Sequence, residues 1–425
     1  MEVRIKIIIW VGILLIFFGN TPLTISADVN PNPPSSPVKL IFIHHSTGEN
    51  WLADYDGGLG EALRDNNYFV SDTNYGWGPN SIGDLTDIGH WWLWFQGPDS
   101  ATYTDAFYRE SGRHSEYSRL GQDPGGVNNI IMFKSCFPNS HLDGNPDDPP
   151  TSGSNPLRGE DCGSQHHSVA NAKGIYNDLL SYFSTRQDKL FIVISAPPLC
   201  ANETDSRHAY NARAFNDWLI NEWLTEYPYR NVAVFDFYNV LTSNGGNRNT
   251  NDANQASGNH HRFWNGSVQH VQEVDQNTSA YSQSAWDSHP TAAGNRKATQ
   301  EFVSMLNIYY HCWRGTGDCP GRVSDNIPPV IDSFTSDHDM GKVPITINFS
   351  CMAYDPDGTI VQFRWDFNGD GQVDEMTSQG VCSRTFESEG IFQVTCTVID
   401  NLGEATVSSV LTITVTRGKG ILIRR

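Results

Sequence analysis

Apolar and polar positions along the chain follow two different rhythms, and the change falls near residue 315. Before it, short apolar runs at 39–43, 68–71, 129–133, 189–195 and 231–237 read as buried strands. Between them the spacing turns helical. Ile175, Leu179, Tyr182 and Phe183 share one helix face, as do Phe215, Trp218 and Leu219, and Phe302, Met305, Leu306 and Tyr309. Strands alternating with helices predict an α/β fold with a mostly parallel sheet covered on both faces. The connections 71–128, 137–165 and 240–285 are long and rich in Gly, Asn, Asp, Ser and aromatic residues. Each follows a strand, so together they are expected to build a rim where open α/β sheets bind ligands.

After a Gly-, Pro- and Asp-rich stretch, the rhythm becomes strict alternation at 345–349, 360–365, 390–398 and 407–416, punctuated by turns such as Asp355-Pro356-Asp357-Gly358. This predicts a second, all-β domain of sandwich type. The expected organisation is a leader at 1–27, an α/β domain at 36–314, a linker at 315–327 and a sandwich at 328–416. The leader rests on Arg4 and Lys6, an apolar run at 7–18 and the small-residue site Ile25-Ser26-Ala27, the pattern of a cleaved secretory signal. The run is short for a membrane span, so export without an anchor is the expectation.

Composition narrows the partners. The 28 Lys and Arg against 48 Asp and Glu give a net charge of −20, which argues against nucleic acid or an anionic membrane surface as the partner. Eight cysteines in an exported chain favour disulfides. Cys312 with Cys319 would close a small loop, Cys351 with Cys396 lie on strands able to face each other, and Cys136 with Cys162 is a third pairing. Cys200 and Cys382 would remain over.

Chemistry concentrates at two points. In LIFIHHSTGENW the first strand ends and Ser46 stands at the turn into a helix, which puts its hydroxyl at the carboxyl edge of the sheet. A helix N-cap is the plainer role for a serine there. In WDSHPTAAGNRKATQEF, Asp287 and His289 precede the last helix. A serine needs a base to attack an acyl carbon, and a histidine oriented by a carboxylate is the commonest solution. Ser, then Asp and His at the far end of an α/β chain, is an order seen in hydrolases.

On these residues the segment from Val38 to Tyr310 resembles the SGNH, or GDSL-type, hydrolases, esterases with a three-layer αβα, flavodoxin-like fold. The resemblance implies Ser46 as nucleophile and His289, in His289-Pro290, as base. It implies Asn139, in IIMFKSCFPNS, as an oxyanion donor, with Ser135 as the alternative. A glycine after the second strand is the other donor; Gly76, Gly78 and Gly83 are candidates and Gly78 is preferred. The chain departs from the family where His44-His45 replaces Gly-Asp before the serine, where the Gly-x-Asn-Asp block is not intact, and where Asp287 precedes His289 by two residues instead of three.

The pairs His44-His45, His166-His167 and His260-His261 lack metal-ligand spacing, since neighbours on a strand face opposite ways. Catalysis without a cofactor is therefore the expectation. Trp51, Trp77, Trp91, Trp92, Trp94 and Phe95 crowd the first two strands, as core or as a stacking platform for sugar rings.

In the second domain, AYDPDGTIVQFRWDFNGDGQVDE and FESEGIFQVTCTVIDNLGE resemble the PKD (polycystic kidney disease type) repeat, which implies an Ig-like sandwich used for spacing or polymer contact. Within it Asp366, Asn368, Asp370 and Asp374 flank Gly371 with the spacing that opens a calcium loop, although Thr377 takes the place of the usual Glu. A structural calcium or a plain Asx-rich hairpin turn are the two readings. The function expected is a secreted serine esterase acting on carbohydrate O-acetyl esters. The alternative is a non-catalytic polymer-binding protein that kept the hydrolase fold.

Overall fold

The computed structural model describes residues 29–273, 276–320, 328–356, 359–400 and 404–417, so the leader expected at 1–27 lies outside the described residues. Near-unbroken apolar runs form the centre of the first unit, a parallel sheet of β1 (Val38–Ile43), β2 (Tyr68–Thr73), β3 (Ile130–Lys134), β4 (Leu190–Ile194) and β5 (Val232–Phe235). Its order is β2-β1-β3-β4-β5. The chain leaves β1 toward β2 on one side and returns to β3 on the other, so the strand order reverses beside β1 and opens a crevice at the strands' carboxyl ends.

Side chains alternate across the sheet, which explains why both faces are apolar. Ile41, Ile43, Ile131, Phe133, Phe191 and Val193 pack on α3 (Trp91–Phe95), α4 (Ser100–Arg109), α5 (Val169–Phe183) and α6 (Ser206–Asn221). Leu40, Phe42, Ile130, Met132 and Ile192 pack on α1 (Thr47–Leu52), α2 (Leu59–Asp65), α7 (Phe237–Val240) and α8 (Ala292–Trp313). Helices therefore cover both faces of the sheet. Trp51, Trp77, Trp91, Trp94 and Phe95 are core residues and Trp92 is half-buried, so the aromatic crowding serves packing more than a sugar platform.

The long connection at 240–285 holds one hairpin, β6 (His260–Trp264) with β7 (Ser267–Val271), and enters a second, β8 (Ser282–Ser284) with β9 (Asp287–Pro290). Cys312 and Cys319 are joined by a disulfide that folds 315–319 back toward α8, and His311 Nδ1 bonds Thr316 Oγ1 at 2.6 Å. The remaining cysteines are thiols, which corrects two pairings. Cys136 Sγ lies 3.7 Å from Thr47 Oγ1, and the Cys162 amide donates to Asp87 Oδ2 at 3.1 Å, with both thiols free. Cys351 and Cys396 both lie buried in the sandwich core, as free thiols.

The second unit is a sandwich of two sheets. One orders β10 (Val330–Ser336), β12 (Ile345–Tyr354) and β15 (Val381–Phe386). The other orders β11 (Met340–Lys342), β18 (Leu411–Thr416), β16 (Gly390–Asp400), β13 (Ile360–Asp366) and β14 (Glu375–Thr377), with β17 (Ala405–Val407) on β16. Period-two alternation turns Ile347, Phe349, Trp365, Val394, Val398 and Ile413 inward to one core. No helix among the described residues is long and apolar enough to cross a membrane.

Candidate active site

Ser46 sits between β1 and α1 with φ 47° and ψ −104°, a left-handed backbone that costs a non-glycine residue about 1–3 kcal/mol. Close packing holds it there. Gly48 lies so near His44 that an added Cβ would come within 2.5 Å of the His44 Cβ. The Ser46 Oγ stands 2.7 Å from His289 Nε2, and His289 Nδ1 stands 2.6 Å from Asp287 Oδ1. With Nδ1 donating to the carboxylate, Nε2 is left to accept the serine proton.

The two-residue spacing of Asp287 and His289 has a simple geometric basis. Both lie on β9, where residues two apart share a face, so the Asp287 carboxylate reaches the imidazole directly and also accepts the His289 amide at 3.0 Å. Burial works to raise the Asp287 pKa, but the bonds and charge from His289 outweigh it and hold the carboxyl below its ordinary value. Between them, Ser288 Oγ accepts the Cys200 amide at 2.8 Å and donates to Glu203, which ties the hairpin to the loop after β4. The Phe137 ring meets the His289 ring edge-on, 4.8 Å between centroids.

The other expected donors are engaged elsewhere. Asn139 donates its amide hydrogens to Asp87 Oδ1 at 2.6 Å and the Cys136 carbonyl at 3.3 Å, and its oxygen accepts the Ile88 amide at 2.8 Å. It is a brace between two loops. Gly78 shapes its own loop with φ 78°, its carbonyl accepting the Ser81 amide, and among the described residues no hydrogen bond ties it to Ser46. Ser135 keeps a buried hydroxyl with no partner.

Beneath the serine lies a polar layer that pattern reading missed. His44 is buried with Nε2 3.3 Å from Asp72 Oδ2, while His45 turns the other way to Thr86, as neighbours on an extended chain do. Burial would raise Asp72, but the His44 bond and charge and the His114 amide hold it below its ordinary value. Burial and the nearby Lys134 charge push the His45 pKa down to about 4, so this ring is neutral at pH 7. Lys134, at the end of β3, donates to Thr47 Oγ1 and to the Ser135 carbonyl, and no carboxylate pairs with it among the described residues. Burial pushes its pKa down to about 8. A lysine ending an apolar strand is the one signal that marked it. Tyr75, 61% exposed, stacks its ring on His45 beside the serine, 4.6 Å between centroids, a placement that no sequence pattern marks.

In the sandwich, Asp366, Asn368, Asp370 and Asp374 gather at the β13–β14 turn. There Asp366 accepts the amides of Asn368, Gly369 and Gly371 at 3.1, 2.7 and 2.8 Å, and Asp374 accepts that of Phe367 at 2.7 Å. Asn368 and Asp370 cap the amides two residues on. These oxygens turn the chain in an Asx-type hairpin.

Residues 326–415 match the family model of the PKD domain. The C-terminal sandwich is a PKD domain. Similar solved structures include the PKD1 domain of Vibrio anguillarum Epp, 28% identical over 22% of this chain and 100% of that one, with a TM-score of 0.18. The PKD1 domain of the Vibrio cholerae metalloprotease PrtV is 28% identical over 21% and 98%, with a TM-score of 0.17. A structure from a study of β-sandwich carbohydrate-binding modules is 27% identical over 22% of this chain, which spans 36% of that one, with a TM-score of 0.20. No curated protein matches the chain.

Proposed function

We propose that the chain is a secreted serine ester hydrolase of SGNH type, with a flavodoxin-like αβα catalytic unit and an accessory PKD domain. The observation that carries this reading is the relay Ser46 Oγ to His289 Nε2 at 2.7 Å and His289 Nδ1 to Asp287 at 2.6 Å, set on the carboxyl edge of a parallel sheet. The 2-1-3-4-5 strand order and the strained backbone at Ser46 support it.

In this mechanism His289 Nε2 takes the Ser46 proton as Oγ bonds to the ester carbon, and Asp287 stabilises the imidazolium that forms. Collapse of the tetrahedral species expels the alcohol, which receives that proton from His289. Water then repeats the sequence on the acyl-serine and frees the acid. Carbohydrate O-acetyl esters are the favoured substrates, supported by the leader and by the exposed rings of Tyr75 and Trp286, the latter next to Asp287.

A panel of aryl and alkyl acyl esters and acetylated polysaccharides, assayed with wild type and Ser46→Ala, tests the reading. Hydrolysis by wild type and its loss in the variant are expected. An inactive wild type across the panel would favour a polymer-binding protein that kept the fold.

A further inference from the structure

The relay depends on where β9 puts Asp287 and His289, and β9 belongs to a hairpin of three- and four-residue strands, too short to hold its own place in water. The base of this hairpin is tied down, since the Ala280 amide donates to the Leu241 carbonyl at 3.0 Å and the Thr291 amide to the Tyr281 carbonyl at 2.7 Å. Its other end is tied separately. Along 282–289, Ser46 apart, the hydrogen bonds that reach the hairpin from outside come from Cys200 and Glu203 among the described residues.

Strand alternation sends Asp287 and His289 to the Ser46 side of β9 and Ser288, fully buried, to the opposite side. There Ser288 Oγ accepts the Cys200 amide at 2.8 Å, which leaves its own proton to donate to Glu203 Oε2. The Cys200 thiol stands 3.3 Å from the Ala285 carbonyl and 3.5 Å from Glu203 Oε2. The Glu203 amide donates to the Cys200 carbonyl at 3.0 Å, so the two residues form one corner. That corner has firm neighbours. It follows β4, which ends at Ile194, and precedes α6, capped by Asp205 as its carboxylate accepts the Arg207 and His208 amides. Glu203 is a half-buried carboxylate fixed beside the sheet and bonded to the back of the strand that carries the relay.

We infer that Glu203 is a positioning residue of the relay, which by accepting the Ser288 hydroxyl holds β9 where His289 Nε2 stays within hydrogen-bond reach of Ser46 Oγ. The inference rests on the esterase reading above. Glu203 acts through Ser288 and takes no part in the proton transfer itself. Without its bond, the end of the hairpin that carries the relay is freed while the base stays fixed. The cost follows from distance, because Nε2 takes the serine proton only from contact and a misplacement of about 1 Å can lower a rate about 10²-fold. A carboxylate accepts such a bond more strongly than a neutral amide oxygen does, so the acid is the better anchor at this position.

The test compares Glu203→Ala, Glu203→Gln and Ser288→Ala on 4-nitrophenyl acetate, with folding checked by thermal unfolding. Glu203→Ala and Ser288→Ala are each expected to lower kcat by about 10², with KM little changed. The double variant should be no slower than either single one, since both act through one bond. Glu203→Gln, which keeps an acceptor oxygen, should recover part of the loss. In proton NMR the downfield resonance of the His289 Nδ1–H should shift or broaden in Glu203→Ala and return toward its wild-type position in Glu203→Gln. Should Glu203→Ala not fold, Ser288→Ala, which removes only a hydroxyl, decides by the same kcat and resonance. If wild type is active and Ser46→Ala is not, but Glu203→Ala keeps wild-type kcat, or loses it with no recovery in Glu203→Gln, the Glu203 role is overturned and the esterase reading stands. If wild type hydrolyses no ester and Ser46 is not labelled by a fluorophosphonate, both fall together.

Discussion

His44, Asp72, Lys134, Asp236, Lys297 and Glu301 are all buried in the α/β unit, whereas in the PKD domain Asp400 is the one charged residue buried among the described residues. The sandwich core is otherwise aromatic and aliphatic, with three thiols. Burying a charge costs several kcal/mol unless it is well partnered, so each buried charge of the α/β unit must find compensating partners. In the α/β unit four of these groups lie along one edge of the sheet. His44, Asp72, Lys134 and Asp236 fall at the carboxyl ends of β1, β2, β3 and β5, the edge that carries Ser46. The contrast separates a unit that buries charge along its sheet edge from one that buries almost none, and the following changes are chosen to break it.

The largest effects belong to the serine and its base. Ser46→Ala and His289→Ala are each expected to lower kcat by a factor on the order of 10⁴–10⁶ while leaving the fold intact, read by steady-state kinetics and thermal unfolding. Asp287→Asn should cost less, about 10²–10⁴, since an imidazole beside serine still acts without its carboxylate. An unchanged rate in that variant would transfer the orienting role to another group.

Lys134 sharpens the comparison through stability. Its pKa in the folded protein is about 8 against an ordinary 10.5, so the unfolded chain binds more protons between those values and this group makes stability rise with pH across that window. The gain is at most about 3 kcal/mol. Denaturant unfolding of wild type and Lys134→Met should show this difference in slope between pH 8 and 10.5. Parallel profiles would mean that the buried amine does not titrate there.

The smallest effect concerns the PKD domain. A chain ended at Gly321 keeps Cys319 and every residue of the relay. Its kcat and KM on a soluble ester should match the full chain within about twofold, as for a domain with a core of its own. A well-folded truncation that lost this activity would show that the sandwich helps to build the site.

Much of this layout was legible in the sequence, for physical reasons. The five apolar runs became the five parallel strands because a sheet buried on both faces demands continuous apolar stretches. Ser46 and His289 were marked by their places beside elements, one after the first strand and one before the last helix. What stayed hidden depends on side-chain direction. Whether Asn139 faces Ser46 or Asp87 is decided by a loop packed against it from 51 residues away in sequence. Tyr75 is one of many aromatics in a long connection, and only the fold stacks it on His45 beside Ser46. The cysteine pairings failed in the same way, since spacing alone cannot tell that Cys136 packs on Thr47.

The central claim is that Ser46 is the nucleophile activated by His289. Intact-mass analysis after treatment with an alkyl fluorophosphonate addresses it directly. One adduct per chain, mapped to Ser46 by peptide sequencing and absent in Ser46→Ala and in His289→Ala, is the predicted result. A Ser46 left unmodified in wild type, or a Ser46→Ala protein free of contaminating esterase that still hydrolyses the ester at the wild-type rate, would contradict the account.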